Sequence, residues 1–138
     1  MISRKNTSKK ERILEQIKNI LMERDDVLFA YVHGSFLDNS PYHDIDIALY
    51  VNPEEVDFSD SFDYSRGLFV ELEKKLGIEI DAKVMNNASL GFRHSVFKNG
   101  RLLFSKDENL RLELMEKDSL EYMDFYELSL QFIRDSVS

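Results

Sequence analysis

Apolar and polar positions change period several times along this chain, and each change marks an element. Ile13, Leu14, Ile17, Ile20 and Leu21 recur at helical spacing, so a first helix is expected from a Ser8 cap to about Arg24, closed by Asp25-Asp26. Val27 to Val32 (VLFAYV) is an unbroken apolar run of strand length, the pattern of a strand buried on both faces. A Gly34-Ser35 turn and a polar loop through Asn39-Ser40-Pro41 follow. Asp44 to Val51 (DIDIALYV) then alternates, with Ile45, Ile47, Leu49 and Val51 on one face and Asp44, Asp46, Ala48 and Tyr50 on the other. Asn52-Pro53 stops that strand.

Asp60 to Leu76 reads as a helix with Phe62, Leu68, Phe69, Leu72 and Leu76 inward and Gly77 ending it. Ile78 to Met85 (IEIDAKVM) alternates again, setting Glu79, Asp81, Lys83 and Met85 opposite Ile78, Ile80, Ala82 and Val84. A short helix from about Ser89 to Phe97 leads to Asn99-Gly100, a hairpin-type turn, and a brief strand from Arg101 to Phe104. From about Glu108 to Asp135 neither proline nor glycine interrupts the pattern, so one long helix or a broken pair is expected. The sum is an α/β domain with helices at both ends. The 138 residues are expected to form one domain, its core at about 27–104 and a C-terminal helical segment at about 107–136.

Charge and composition narrow the function. With no cysteine, a disulfide framework and a thiolate metal site are both excluded. No apolar run reaches the length of a membrane span, and the start of the chain lacks a signal-peptide apolar region, so a cytoplasmic protein is expected. The net charge of −8 argues against a broad electrostatic grip on nucleic acid. Basic residues gather at Arg4, Lys5, Lys9, Lys10 and Arg12, where they read as a solvated, partly frayed tail. Between Tyr122 and Ile133 apolar side chains spread over more than one helical face, with Glu121, Asp124 and Glu127 among them, the pattern of a protein interface suited to a basic partner.

The chemistry concentrates where the first two strands meet. Gly34 lets a backbone approach phosphate closely, and Ser35 adds a hydroxyl and an N–H donor. Asp44 and Asp46 point the same way from one strand, their Cα atoms roughly 6.5–7 Å apart. Asp81 lies on the polar face of the next strand. Three carboxylates brought together repel unless a cation holds them, and hard oxygen ligands without sulfur select Mg²⁺ or Mn²⁺. Around them, His33 reads as a packed strand-end histidine or a phosphate contact, and His43 as a loop residue or a lining of the nucleotide site. Lys83 reads as a partner for phosphate or for Glu79, and Arg93 and His94 as surface positions or phosphate or base contacts.

Gly34-Ser35, Asp44-x-Asp46 and Asp81 resemble the signature of the nucleotidyltransferase superfamily typified by DNA polymerase beta. With the Asn99-Gly100-Arg101-Leu102-Leu103-Phe104 segment and Tyr122-Met123-Asp124-Phe125, the chain is similar to the minimal nucleotidyltransferases, antitoxin partners of HEPN-domain ribonuclease toxins. Eight residues separate Ser35 from Asp44, about two fewer than the family pattern has. The resemblance implies a small mixed β-sheet with flanking helices and a Mg²⁺-dependent adenylyltransferase using ATP. Its acceptor would be a tyrosine hydroxyl on a HEPN toxin, engaged through the C-terminal segment. It further implies that Asp44, Asp46 and Asp81 are catalytic and hold the metal, and that Gly34 and Ser35 hold phosphates. His43 and Lys83 complete the nucleotide site in this reading. DNA and membrane are not expected as partners, and a homo-oligomer stays open. Two alternatives stand beside this one: a non-catalytic antitoxin that masks its partner, and transfer to a small molecule.

Overall fold

A computed structural model of the protein describes residues 2–34, 45–56 and 61–137. Four helices and four strands follow in the order α1 (Ile2–Met22), β1 (Val27–His33), β2 (Ile45–Val51), α2 (Ser61–Leu76), β3 (Ile80–Val84), α3 (Leu90–Asn99), β4 (Arg101–Ser105) and α4 (Glu108–Val137). The strands form one mixed sheet in the order β3-β2-β1-β4. β1 runs antiparallel to both β2 and β4, and β2 runs parallel to β3. This is the small mixed sheet with flanking helices expected above, with a long C-terminal helix.

The alternation of β2 and β3 sorts their side chains as expected. Ile45, Ile47, Leu49, Ile80 and Ala82 join Leu14, Ile17 and Leu21 of α1 and Leu68 and Leu72 of α2 in an aliphatic core on one face. Ala48 and Met85 join Phe29, Tyr31 and Val96 in a smaller cluster on the other face, under α3 and α4. The apolar run of β1 is buried on both faces, because it is an interior strand between both layers. A register shift between Val27 and Phe29 turns Leu28 and Phe29 to the same side.

Three details differ from expectation, and the second half of α4 is exposed as an interface would be. α1 begins at Ile2, so Ser8 lies within the helix rather than capping it, and the basic segment is helical. No glycine or proline interrupts residues 2–8, so nothing there stops a helix anchored by Ile13 and Leu14. Phe62 is 74% exposed, because in the first turn of α2 it lines a cavity beside β3 rather than the core; Tyr64 packs on the core instead. Asn99 ends α3 and Gly100 caps it with an extended backbone (φ −76°, ψ 163°), so this pair joins a helix to a strand rather than turning a hairpin. Beyond Asp118 the apolar residues of α4 are largely exposed, Phe132 at 74%, so the helix packs on the domain through its first half only. Among the described residues no helix is long and apolar enough to cross a membrane.

Candidate active site

One end of the sheet collects the polar residues that alternation places on the α3 side. His33 ends β1 opposite Asp46 of β2, and Asp46 is in register with Asp81 of β3. Directly opposed residues on adjacent strands share a face, so the two carboxylates stand side by side on neighbouring strands. Gly34 follows His33 with φ +79°, a left-handed conformation that side chains other than glycine's rarely adopt. A Cβ built there would lie 2.6 Å from Oδ2 of Asp46. The glycine therefore brings bare backbone up against the carboxylate, and a larger residue would displace it.

The other neighbours set the local electrostatics. Lys83 Nζ lies 3.9 Å from Asp81 Oδ2, not beside Glu79, and sits 5.8 Å from the centre of the Phe92 ring. His33 packs edge-on against the same ring at 5.5 Å, and its Nε2 is buried with no hydrogen-bond partner among the described residues. Burial holds the His33 imidazole below the ordinary histidine range. Asp46 and Asp81 oppose that shift and Lys83 reinforces it, which leaves the ring neutral at pH 7. A neutral ring beside two carboxylates adds no fixed positive charge, so they keep their demand for a cation.

Gly34, Asp46, Asp81 and Lys83 are thus brought together, with His33 beside them. Ser35, His43 and Asp44 lie outside the described residues. Arg93 and His94 face away from this end. Arg93 makes paired hydrogen bonds of 2.8 and 2.9 Å to Asp118 of α4, and His94 stacks on Tyr122 at 4.0 Å. They lock α3 to α4. Sequence reasoning missed Phe92, whose ring floors both His33 and Lys83; its place on α3, three residues after the Ser89 cap, carried no signal for that contact. It also missed a cavity of about 770 Å³ that opens from Asp81 and Lys83 along the outer edge of β3, between α2 and α3.

The donor set suits a hard divalent cation. Two carboxylates in register offer oxygen ligands alone, and the missing side chain at Gly34 lets Asp46 Oδ2 sit against bare backbone. Among the described residues no cluster of three ligating side chains forms; the third expected carboxylate of the strand, Asp44, is not among them.

Known proteins similar to this chain identify its family. The profile of the family described as Polymerase beta, Nucleotidyltransferase matches residues 15–109, which contain the site. No functionally curated protein matches the sequence. Among solved structures, the complex of tri-AMPylated Shewanella oneidensis HEPN toxin with MNT antitoxin contains a chain similar to this one. The TM-score is 0.66 at 18% identity, covering 94% of this chain and 99% of that one. The toxin–antitoxin MntA–HepT is similar with a TM-score of 0.66 at 17% identity, over 93% of this chain and 99% of that one. A toxin–antitoxin structure with AMP-PNP is similar at 0.66 and 18% identity, over 91% and 98%.

Proposed function

Because this chain belongs to the polymerase beta nucleotidyltransferase family, we propose that it transfers AMP from ATP to a tyrosine hydroxyl of a HEPN-domain ribonuclease toxin and so acts as its antitoxin. The observation that carries the reading is the register of Asp46 and Asp81 beside the left-handed Gly34. The HEPN toxin that is tri-AMPylated in one similar complex, and the AMP-PNP in another, support the choice of donor and acceptor.

In this reading the tyrosine oxygen attacks the α-phosphorus of ATP in line. A new phosphorus–oxygen bond to tyrosine forms, the bond from the α-phosphorus to the bridging oxygen breaks, and pyrophosphate leaves with that oxygen's electron pair. Asp81, the carboxylate nearest the open edge, takes the hydroxyl proton. Gly34 and Ser35 present backbone to the β- and γ-phosphates, Lys83 supplies positive charge, and His43 lines the nucleotide. Asp44, Asp46 and Asp81 would hold Mg²⁺ or Mn²⁺, which when bound offsets the charge of the phosphates and of the leaving pyrophosphate.

The test is label transfer from ATP carrying a radioactive α-phosphate to the HEPN partner. The Asp44→Asn/Asp46→Asn double variant is expected to lose about a thousand-fold or more in rate, equivalent to about 4 kcal/mol of barrier. An unchanged rate in that variant overturns this account of the site. The exposed apolar residues of α4 favour a second reading, in which the chain neutralises its partner by masking it. That reading predicts full neutralisation by the same double variant.

A further inference from the structure

The cavity beside β3 extends past the carboxylates: Asp81 and Lys83 open into it, and residues of α2 and α3 wall the rest. Three features of it are unused by the fold. The first is the strand edge. β3 is the last strand of the sheet on that side, so one row of its backbone groups has no strand partner. The Glu79 carbonyl accepts from Ile45 N–H, and Met85 N–H donates to the Leu49 carbonyl. Odd-numbered residues therefore face β2, and the peptide groups of Ala82 and Val84, both lining the cavity, face outward. The second is an aromatic wall: Phe62 and Phe69 of α2 stand across from Phe92 of α3. Phe62, at 74% exposure, contributes little to the core. The third is a cation. Arg66 lines the cavity and has no ion-pair partner among the described residues.

From these features we infer that the cavity between α2 and α3 is the acceptor channel: an extended polypeptide segment adds as a strand along the free edge of β3 and delivers its tyrosine to Asp81. The inference rests on the proposed transfer to protein. It commits to a peptide because outward Ala82 and Val84 amides offer ladder hydrogen bonds that a small acceptor has no row of groups to meet. Aromatic side chains of the segment fill the wall of Phe62, Phe69 and Phe92, and an acidic residue of the segment pairs with Arg66. The channel runs into the site at Asp81, so a segment bound in it has only one place to present a hydroxyl. The shape of the acceptor is thereby set by a sheet edge, and its identity by Arg66 and the aromatic wall.

The experiment reads binding, not transfer. The full chain, isotopically labelled for amide detection, is titrated with two degenerate peptide pools having tyrosine at the centre, one enriched in glutamate and the other in lysine. The glutamate pool is expected to slow hydrogen exchange at the Ala82 and Val84 amides and to bind at least about ten-fold more tightly than the lysine pool. Arg66→Glu is expected to remove that preference. Phe62→Ser, at a position too exposed to threaten folding, is expected to weaken both pools. Unchanged exchange at Ala82 and Val84 with either pool overturns the inference, as does a preference that survives Arg66→Glu. Because no turnover is needed, a wild-type chain that transfers no label while still protecting these amides would sink the proposed activity and leave the channel standing.

Discussion

The two faces of the sheet are built from the same strands and do different work. The face under α1 and α2 is mainly aliphatic, with Ile17, Leu21, Ile47, Leu49, Leu68 and Leu72 fully or almost fully buried and Phe104 among them. Its ionic groups sit at the rim, where Arg24 bridges Asp26 and Glu71, and Tyr64 donates to Asp26 at 2.9 Å. The face under α3 and α4 has a smaller, aromatic cluster, and it admits charge to the interior. Asp118 is 1% exposed and fully engaged by Arg93, and the same face ends in Asp46, Asp81 and His33. One layer supplies stability, and its opposite trades part of that stability for polar groups held at fixed positions. The division follows from β2 and β3 alone, whose odd and even residues go to opposite layers.

Three single substitutions and one double would break or sharpen that contrast. Leu72→Ala, in the aliphatic layer, is expected to lower stability by about 3 kcal/mol, read as a shift of the urea midpoint, because the cavity left behind cannot collapse. Asp118→Asn, in the polar layer, is expected to cost about 2 kcal/mol by the same measurement. Replacing both partners, as Arg93→Met/Asp118→Leu, should recover most of the loss, since no buried charge is left without its partner. If Leu72→Ala proves the milder change, the assignment of stability to the first layer is wrong. The smallest effect is at the rim. Burial works against the Asp26 charge, but hydrogen bonds from Arg24 and Tyr64 outweigh it and hold the carboxyl below the usual aspartate range. Asp26 therefore adds stability that is fully present above about pH 4 and is lost as pH falls through the lowered value. Asp26→Asn should cost about 1 kcal/mol at pH 7, and the gap to wild type should narrow in unfolding curves as pH falls below about 4.

Much of this arrangement was legible in the chain where one short period decides the outcome. The alternation of residues 45–51 and 80–85 placed Asp46 and Asp81 on the polar face, and the structure puts them in register. The unbroken run of β1 marked a strand buried on both faces, and it lies in the sheet interior. What escaped depends on partners far away in the chain. Asn99-Gly100 has the composition of a hairpin turn, but β4 pairs with β1 rather than with the strand before it, so Gly100 caps a helix. Phe62 fits the helical stripe of α2, yet whether a stripe residue is covered depends on where the sheet ends. The Arg93–Asp118 pair joins two helices, and each residue read alone resembles a solvated charge. Of the expected site residues, Ser35, His43 and Asp44 lie outside the described residues, and the roles of the others rest on the tests above.

The sheet order also governs when the molecule can become whole. β1 and β2 are near neighbours in sequence and can pair early, but the other flank of β1 waits for β4, about seventy residues later. During synthesis or refolding the central strand, apolar on both sides, thus spends an interval with an open edge. A ligation of that edge by another nascent copy is the obvious wrong turning. Closure by β4 is then a commitment step, and anything that slows α3 or Gly100 lengthens the time during which copies of this chain can trap one another.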